Sequence, residues 1–193
     1  MKPSEQVALL DLDSSLADFE ASMTEKLLAM CSPWEPKELP PEFRYPNKTP
    51  DWLRARKDLI KRQPGFWRGL PVISFGMELY QLLGDLGYNR MILTKGPTTN
   101  TPAWMEKVDW CHRHVPDAEI TITHDKGLVY GKVLYDDFPP YINRWLEWRP
   151  RGKVLMLDAP HNQEFQHPNV LRCHRHPLAD QKDAILKHLG AIP

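Results

Sequence analysis

The sequence predicts an α/β protein built on a parallel sheet flanked by helices, and three observations carry that prediction. Short apolar runs recur along the chain, and several end in an acid or a hydroxyl. Stretches with helical spacing separate them, the alternation expected of strands joined by crossover helices. The runs are also apolar at nearly every position, as strands buried on both faces must be.

Taken in order, residues 7–11 (VALLD) form the first strand. Leu16, Phe19, Met23 and Leu27 recur at helical spacing after it. Residues 32–71 then break the rhythm with eight prolines interleaved with Trp34, Phe43, Tyr45, Trp52, Phe66 and Trp67. A structureless loop of that length is unusual in a compact domain, so a small inserted module with short helices is expected, one of them over residues 51–62. Leu79, Leu82, Leu83 and Leu86 mark the next helix, with Gly87 placed to stop it. A second strand follows at residues 90–94 (RMILT). Thr101 then reads as an N-cap with Pro102 in the first turn of another helix. Strands at residues 118–123, 132–136, 153–157 and 169–172 and an amphipathic helix over 177–189 complete the pattern.

With 193 residues, 41% of them hydrophobic, the chain can bury a core, and disorder is excluded on composition. Lys plus Arg and Asp plus Glu each number 25, and this neutral balance argues against a protein whose main task is gripping nucleic-acid backbone. No run approaches the roughly 18 apolar residues of a membrane span. A short polar lead passes directly into the first strand without a signal-peptide pattern, so a cytoplasmic protein is expected. Three widely spaced cysteines give no disulfide framework. The tetrapeptide Cys-His-Arg-His occurs at 111–114 and again at 173–176, but its spacing fits no standard zinc site, and a buried Cys beside surface His is the plainer account. A homodimer stays open.

The chemistry-bearing segment is Asp11-Leu12-Asp13-Ser14-Ser15-Leu16-Ala17-Asp18-Phe19. Ligands of open α/β sheets bind beyond the carboxyl ends of the strands, which is where Asp11 and Asp13 stand. Paired carboxylates suit Mg²⁺, and they also suit a division of labour between nucleophile and general acid/base. A solvated strand end is the competing account of Asp11 and Asp13 alone.

This segment resembles the first motif of the haloacid dehalogenase (HAD) superfamily, and more narrowly the 5'(3')-deoxyribonucleotidase family within it. Three further stretches are similar to the later motifs, in the right order: Ile92-Leu93-Thr94-Lys95-Gly96, then His124-Asp125-Lys126, then Val133-Leu134-Tyr135-Asp136-Asp137. Asp158-Ala159-Pro160-His161-Asn162 is similar to a loop of bacterial relatives. The resemblance implies a HAD-like Rossmannoid core over residues 1–19 and 76–193, with a small helical cap over 20–75.

It also implies phosphomonoester hydrolysis. Asp11 would attack phosphorus, and Asp13 would protonate the leaving group and then activate water. Mg²⁺ would be held by the Asp11 carboxylate, the Asp13 carbonyl and Asp137, with Asp136 behind it or in exchanged roles. Thr94 and Lys126 would bind the phosphate, with Lys95 beside them, and Lys126 would also meet Asp11. Phe19, Phe43, Arg44 and Tyr45 would contact the substrate, a small phosphomonoester such as a nucleoside 5'- or 3'-monophosphate. Thr94 as a cap, Lys126 as a solvated turn residue, the Asp136–Asp137 pair as a helix start and the cap aromatics as a small core are the structural alternatives.

Two departures from the family stand out. Basic residues near Lys61 and Arg62 occupy the place of a cap tryptophan, compatible with a substrate bearing a second anionic group. Ser14-Ser15 replaces a glycine-led turn. A phosphatase for another small phosphoester and a catalytically silent nucleotide-binding module are the alternative functions.

Overall fold

In the computed structural model, residues 6–35, 38–40, 43 and 48–193 are described; Arg44 and Tyr45 lie outside them. Six strands, β1 (Val7–Leu10), β2 (Asn89–Thr94), β3 (Glu119–Ile122), β4 (Val133–Asp136), β5 (Lys153–Leu157) and β6 (Val170–Cys173), form one sheet in the order β3-β2-β1-β4-β5-β6. Every pairing is parallel. β1 is central, with Leu10 facing Ile92 on one side and Tyr135 on the other.

Alternation along β1 divides the core. Ala8 and Leu10 join the apolar cluster that takes in Met23, Leu79 and Trp110, whereas Val7 and Leu9 join the cluster of Leu93, Leu134, Trp145 and Met156. The predicted parallel sheet with helices on both faces is therefore the observed one.

Six helices connect the strands: α1 (Phe19–Ala29), α2 (Asp51–Lys61), α3 (Ser74–Asp85), α4 (Thr101–His114), α5 (Pro139–Trp148) and α6 (Lys182–Leu189). α1 begins after Leu16, because Asp18 takes the cap and its Oδ1 accepts from Ala21 N at 3.1 Å. Leu16 is fully buried in the preceding turn. α3 ends before Gly87, which takes φ +81° as the sequence pattern required.

Two helix starts differ from expectation. Thr101 is the first residue of α4 and Asn100 stands in the cap position, its side chain committed elsewhere. The final helix begins at Lys182: Leu178–Asp180 form a 3₁₀ turn, and the Gln181 amide folds back onto His174, accepting from its N–H at 2.8 Å and donating to its carbonyl at 2.9 Å.

The segment after α2 is tied to α4. Both Trp67 Nε1 (2.9 Å) and Asn100 Nδ2 (2.6 Å) donate to the Lys61 carbonyl, satisfying an acceptor at the end of α2. The buried Glu106 carboxylate accepts from Gly65 N at 2.6 Å and from Trp67 N at 3.0 Å. Trp110 Nε1 donates to the Leu70 carbonyl at 2.7 Å. These bonds tie residues 61–70 to α4 and to the residue before it. Among the described residues, no helix is long and apolar enough to cross a membrane.

Candidate active site

The sheet order reverses at β1, since β2 lies on one side and β4 on the other. Such a switch point opens a crevice beyond the strand ends. A cavity of about 620 Å³ lies there, lined by Asp11, Asp13, Phe19, Lys95, Lys107, Lys126 and Asp137 and, from the stretch between α1 and α3, by Phe43, Lys57, Lys61 and Trp67.

Asp11 follows β1, and its N–H donates to the Tyr135 carbonyl at 2.8 Å, so backbone pairing continues one residue past the strand. Its carboxylate meets Lys126 Nζ at 2.6 Å, and the same ammonium meets Asp136 at 2.7 Å. Lys126 is 2% exposed, which excludes the solvated-turn account. It lies on a 3₁₀ turn whose preceding residue, Asp125, accepts from Gly127 N at 2.8 Å and is gripped by Arg144 of α5 at 2.9 Å.

Asp11, Asp136 and Asp137 each offer a carboxylate oxygen within 4.8 Å of the others. Burial pushes the Asp11 carboxyl well above its usual range; Lys126 opposes this, and Asp136, Asp13 and Asp137 add to it. Burial works against the Lys126 charge, yet Asp11 and Asp136 outweigh it and hold the ammonium above its ordinary value. Asp136 also does what the helix-start account required, its Oδ1 accepting from Phe138 N at 2.9 Å just ahead of α5.

Asp13 points to a different cation. Lys107 Nζ contacts Asp13 Oδ2 at 2.5 Å, Thr94 Oγ1 at 3.1 Å and the Lys95 carbonyl at 2.8 Å. Asp13 Oδ1 is buried and has no protein partner. Thr94 is thus engaged from inside the protein, while Lys95 reaches the cavity and lies over the Tyr141 ring.

The carboxylates of Asp11, Asp13, Asp136 and Asp137 outnumber the three ammonium groups beside them, Lys95, Lys107 and Lys126. A hard divalent cation bound by oxygen offsets that excess, so the donor set fits such an ion. Among the described residues the aspartate trio is the only group of three or more His, Cys, Asp or Glu with metal-ligand spacing. The Cys-His-Arg-His pairs form none: Cys111 and Cys173 are buried, and burial pushes both thiols up to about 12.

Phe19 stacks on Trp67 (5.5 Å between centroids) and meets Phe66 edge-on (5.8 Å). Phe43 is buried under Lys57, whose Nζ lies 5.0 Å from its ring centroid. Phe19, Phe43 and Trp67 belong to or pack against the apolar cluster, as the small-core account requires, and they also line the cavity.

The sequence reading singled out Trp67 and the loop of His161 and Asn162 but gave them no place in the site, and it did not name Lys107 or Tyr141. Lys107 had a signal: with Glu106 it breaks the apolar face of α4 formed by Ala103, Trp110 and Cys111, and charges on a buried helix face require partners. Asn162 donates to the carbonyls of Asp137 and Leu157, both at 2.8 Å, and His161 Nε2 lies 3.0 Å from the Asp137 carbonyl and 3.3 Å from its Oδ2. Arg172 braces this loop through Asp158 and Asn162, both at 2.7 Å.

The serine turn adopts the conformation that glycine serves. Ser14 has φ +63°, and its N–H donates to the Ala17 carbonyl at 2.8 Å. A β-carbon in the left-handed region costs about 1–2 kcal/mol. Ser14→Gly is therefore expected to raise stability by roughly 0.5–1 kcal/mol after the added freedom of the unfolded chain is deducted. Urea unfolding of the two proteins checks this, and a loss of stability would mean that the serine hydroxyl outweighs the strain. Gly76 packs against the same turn, and a β-carbon there would overlap the Ser15 carbonyl oxygen.

Comparison with known proteins places the chain among relatives. The chain is 32% identical over 161 residues to a Bordetella pertussis protein provisionally named a 5'(3')-deoxyribonucleotidase, covering 81% of this chain and 85% of that one. It is 27% identical over 175 residues to the human cytosolic-type 5'(3')-deoxyribonucleotidase, covering 85% of each. Its fold is similar to a family IA HAD hydrolase of Entamoeba histolytica, with a TM-score of 0.58, 11% identity, and coverage of 96% of this chain and 99% of that one. Residues 5–188 match the family described as 5' nucleotidase, deoxy (pyrimidine), cytosolic type C, and the chain, with the fold of HAD hydrolases, belongs to that family of phosphoric monoester hydrolases.

Proposed function

We propose that this protein is a Mg²⁺-dependent, cytoplasmic phosphomonoesterase that dephosphorylates (deoxy)nucleoside 5'- or 3'-monophosphates through an aspartyl phosphate on Asp11. The observation that carries the reading is Lys126, a buried ammonium shared by Asp11 and Asp136 at the floor of an aromatic-walled cavity.

An Asp11 carboxylate oxygen attacks phosphorus as the bond to the leaving oxygen breaks. Asp13, set beside it on the cavity wall, delivers a proton to that oxygen. A water then yields a proton to Asp13 and attacks phosphorus, the bond to Asp11 breaks, and inorganic phosphate leaves with the Asp11 carboxylate restored. Asp11, Asp136 and Asp137 would hold the Mg²⁺, with the Asp13 carbonyl as a further oxygen. Its charge would neutralise the phosphoryl oxygens and let two anions approach.

Lys126 serves the same end from the protein side, and Lys107 orients Asp13. Lys95 reaches the same space to meet the phosphate, and Thr94, held by Lys107, steadies the strand end beside it. Residues 20–75 act as a cap over the core of residues 1–19 and 76–193, and Phe19, Trp67 and Phe43 give the cavity an aromatic wall against which a base can pack. The names of the Bordetella and human relatives favour nucleotides over other small phosphoesters.

The test is phosphate release from nucleoside 5'- and 3'-monophosphates, sugar phosphates and p-nitrophenyl phosphate, with Mg²⁺ and with EDTA. Release that EDTA stops and that Asp11→Asn lowers at least about 1,000-fold is the expected result. Undiminished turnover by Asp11→Asn removes Asp11 as nucleophile. Faster hydrolysis of sugar phosphates than of every nucleotide moves the substrate class.

A further inference from the structure

Beyond the phosphoryl-binding wall, the cavity carries a second group of cations. Lys57 and Lys61 lie four residues apart on α2 and both line the cavity. Residues at this spacing are neighbours on one helix face, about 5–6 Å apart at Cβ, and like charges so placed repel. Among the described residues, the ammonium groups paired with the aspartates of that wall are those of Lys107 and Lys126, and neither Lys57 nor Lys61 is one of them.

Their surroundings hold them in place. The Lys61 carbonyl receives two hydrogen bonds, from Trp67 and from Asn100, which fix the end of α2 against the cavity wall. Lys57 Nζ donates to the Phe43 carbonyl at 3.2 Å and lies over the Phe43 ring. That leaves donor capacity, since an ammonium has three N–H groups. Burial and the nearby charge of Lys61 both hold the Lys57 amine below its ordinary value, partly offset by Asp58 and Glu20. Asp58 pairs with Lys61 at 2.5 Å, and Glu20 lines the same cavity. Asp58 and Glu20 thus moderate the charge of this pair of lysines.

We infer that Lys57 and Lys61 form a subsite for a second phosphate, so that the preferred substrate is a bisphosphorylated small molecule with one phosphoryl group at Asp11 and the other under α2. This rests on the phosphomonoesterase reading and narrows its substrate class. A phosphate placed between two ammonium groups on adjacent turns accepts hydrogen bonds from both, and the anion turns their repulsion into attraction. The aromatic faces of Phe19, Phe43 and Trp67 leave room for the apolar or ring-bearing body that joins the two phosphates.

The test is calorimetric binding to Asp11→Asn in Mg²⁺ buffer, where ligands are not consumed. A deoxynucleoside 3',5'-bisphosphate is compared with its 5'- and 3'-monophosphates, and a sugar bisphosphate with its monophosphate. Each bisphosphate that fits is expected to bind about tenfold or more tightly than its monophosphates, the size of one charge-assisted hydrogen bond. Adding Lys57→Gln and Lys61→Gln is expected to bring that ratio to about one, and the arginine pair to retain it. The nucleoside and sugar arms identify the body of the ligand.

Equal affinity for bisphosphates and monophosphates overturns the inference, as does a preference that survives the glutamine pair. The ratio is internal to each protein, so a general loss of stability in a variant does not mimic the expected result. If wild-type protein releases phosphate from monophosphates but shows no bisphosphate preference, the second subsite alone falls. If nothing binds and nothing is released, the phosphomonoesterase reading falls with it.

Discussion

Lys126→Met is expected to lower folding stability by about 3–5 kcal/mol in EDTA, the cost of breaking a buried ion pair from one side. Lys126 is the ammonium that Asp11 and Asp136 share, and both carboxylates are buried, with Asp137 a third carboxylate nearby. Methionine fills much of the same volume, so packing alone does not account for a loss of that size. For a chain of this length the fall in Tm is roughly 6–20 °C.

Millimolar Mg²⁺ is expected to recover a substantial part of the loss, because an ion held by the same carboxylates supplies the missing charge. The wild-type protein, which keeps its lysine, should gain less from the ion. Urea unfolding of both proteins, each in EDTA and in Mg²⁺, makes the comparison. A loss below 1 kcal/mol in EDTA would mean that the aspartates take up protons at little cost when the lysine is gone. Equal gains from Mg²⁺ in both proteins would separate the lysine from the metal site.

What the sequence disclosed follows the range of the interactions involved. Strands such as residues 90–94 and 153–157 were legible because burial on both faces leaves an apolar run that can be read locally. The pairing of Asp11 with Lys126 could be anticipated only through family resemblance, since 115 positions separate them and only the sheet order brings them together. Lys107 escaped notice for the same reason: its partner Asp13 is 94 residues away, and no local pattern links α4 to the first strand. The helix starts at Thr101 and Lys182 shifted because Asn100 and Gln181 spend their side chains on long-range or backward bonds. Propensity describes a residue alone, and these residues are not alone.

Asp13→Asn is expected to separate the two halves of the reaction. Asparagine cannot supply a proton to a poor alkoxide leaving group, and general acid catalysis is worth about 10²–10⁴ in rate. Nucleotide hydrolysis should fall by that factor, with no early burst. p-Nitrophenolate leaves readily without a proton, so the first half-reaction should proceed with p-nitrophenyl phosphate. The second half still lacks a base to activate water. Stopped-flow mixing with p-nitrophenyl phosphate should therefore show a burst of p-nitrophenol close to one equivalent per protein, followed by a slow steady state as phosphate accumulates on Asp11. Lys107→Met should move part of the way in the same direction, because the ammonium 2.5 Å from Asp13 Oδ2 orients the acid without donating to the leaving group itself. A loss in Asp13→Asn of the same size for nucleotide and p-nitrophenyl ester, with no burst from either, would place Asp13 in binding rather than in proton transfer. A burst that also disappears when Asp11→Asn is added would tie the trapped phosphate to Asp11 and leave Asp13 as the group that both protonates and deprotonates.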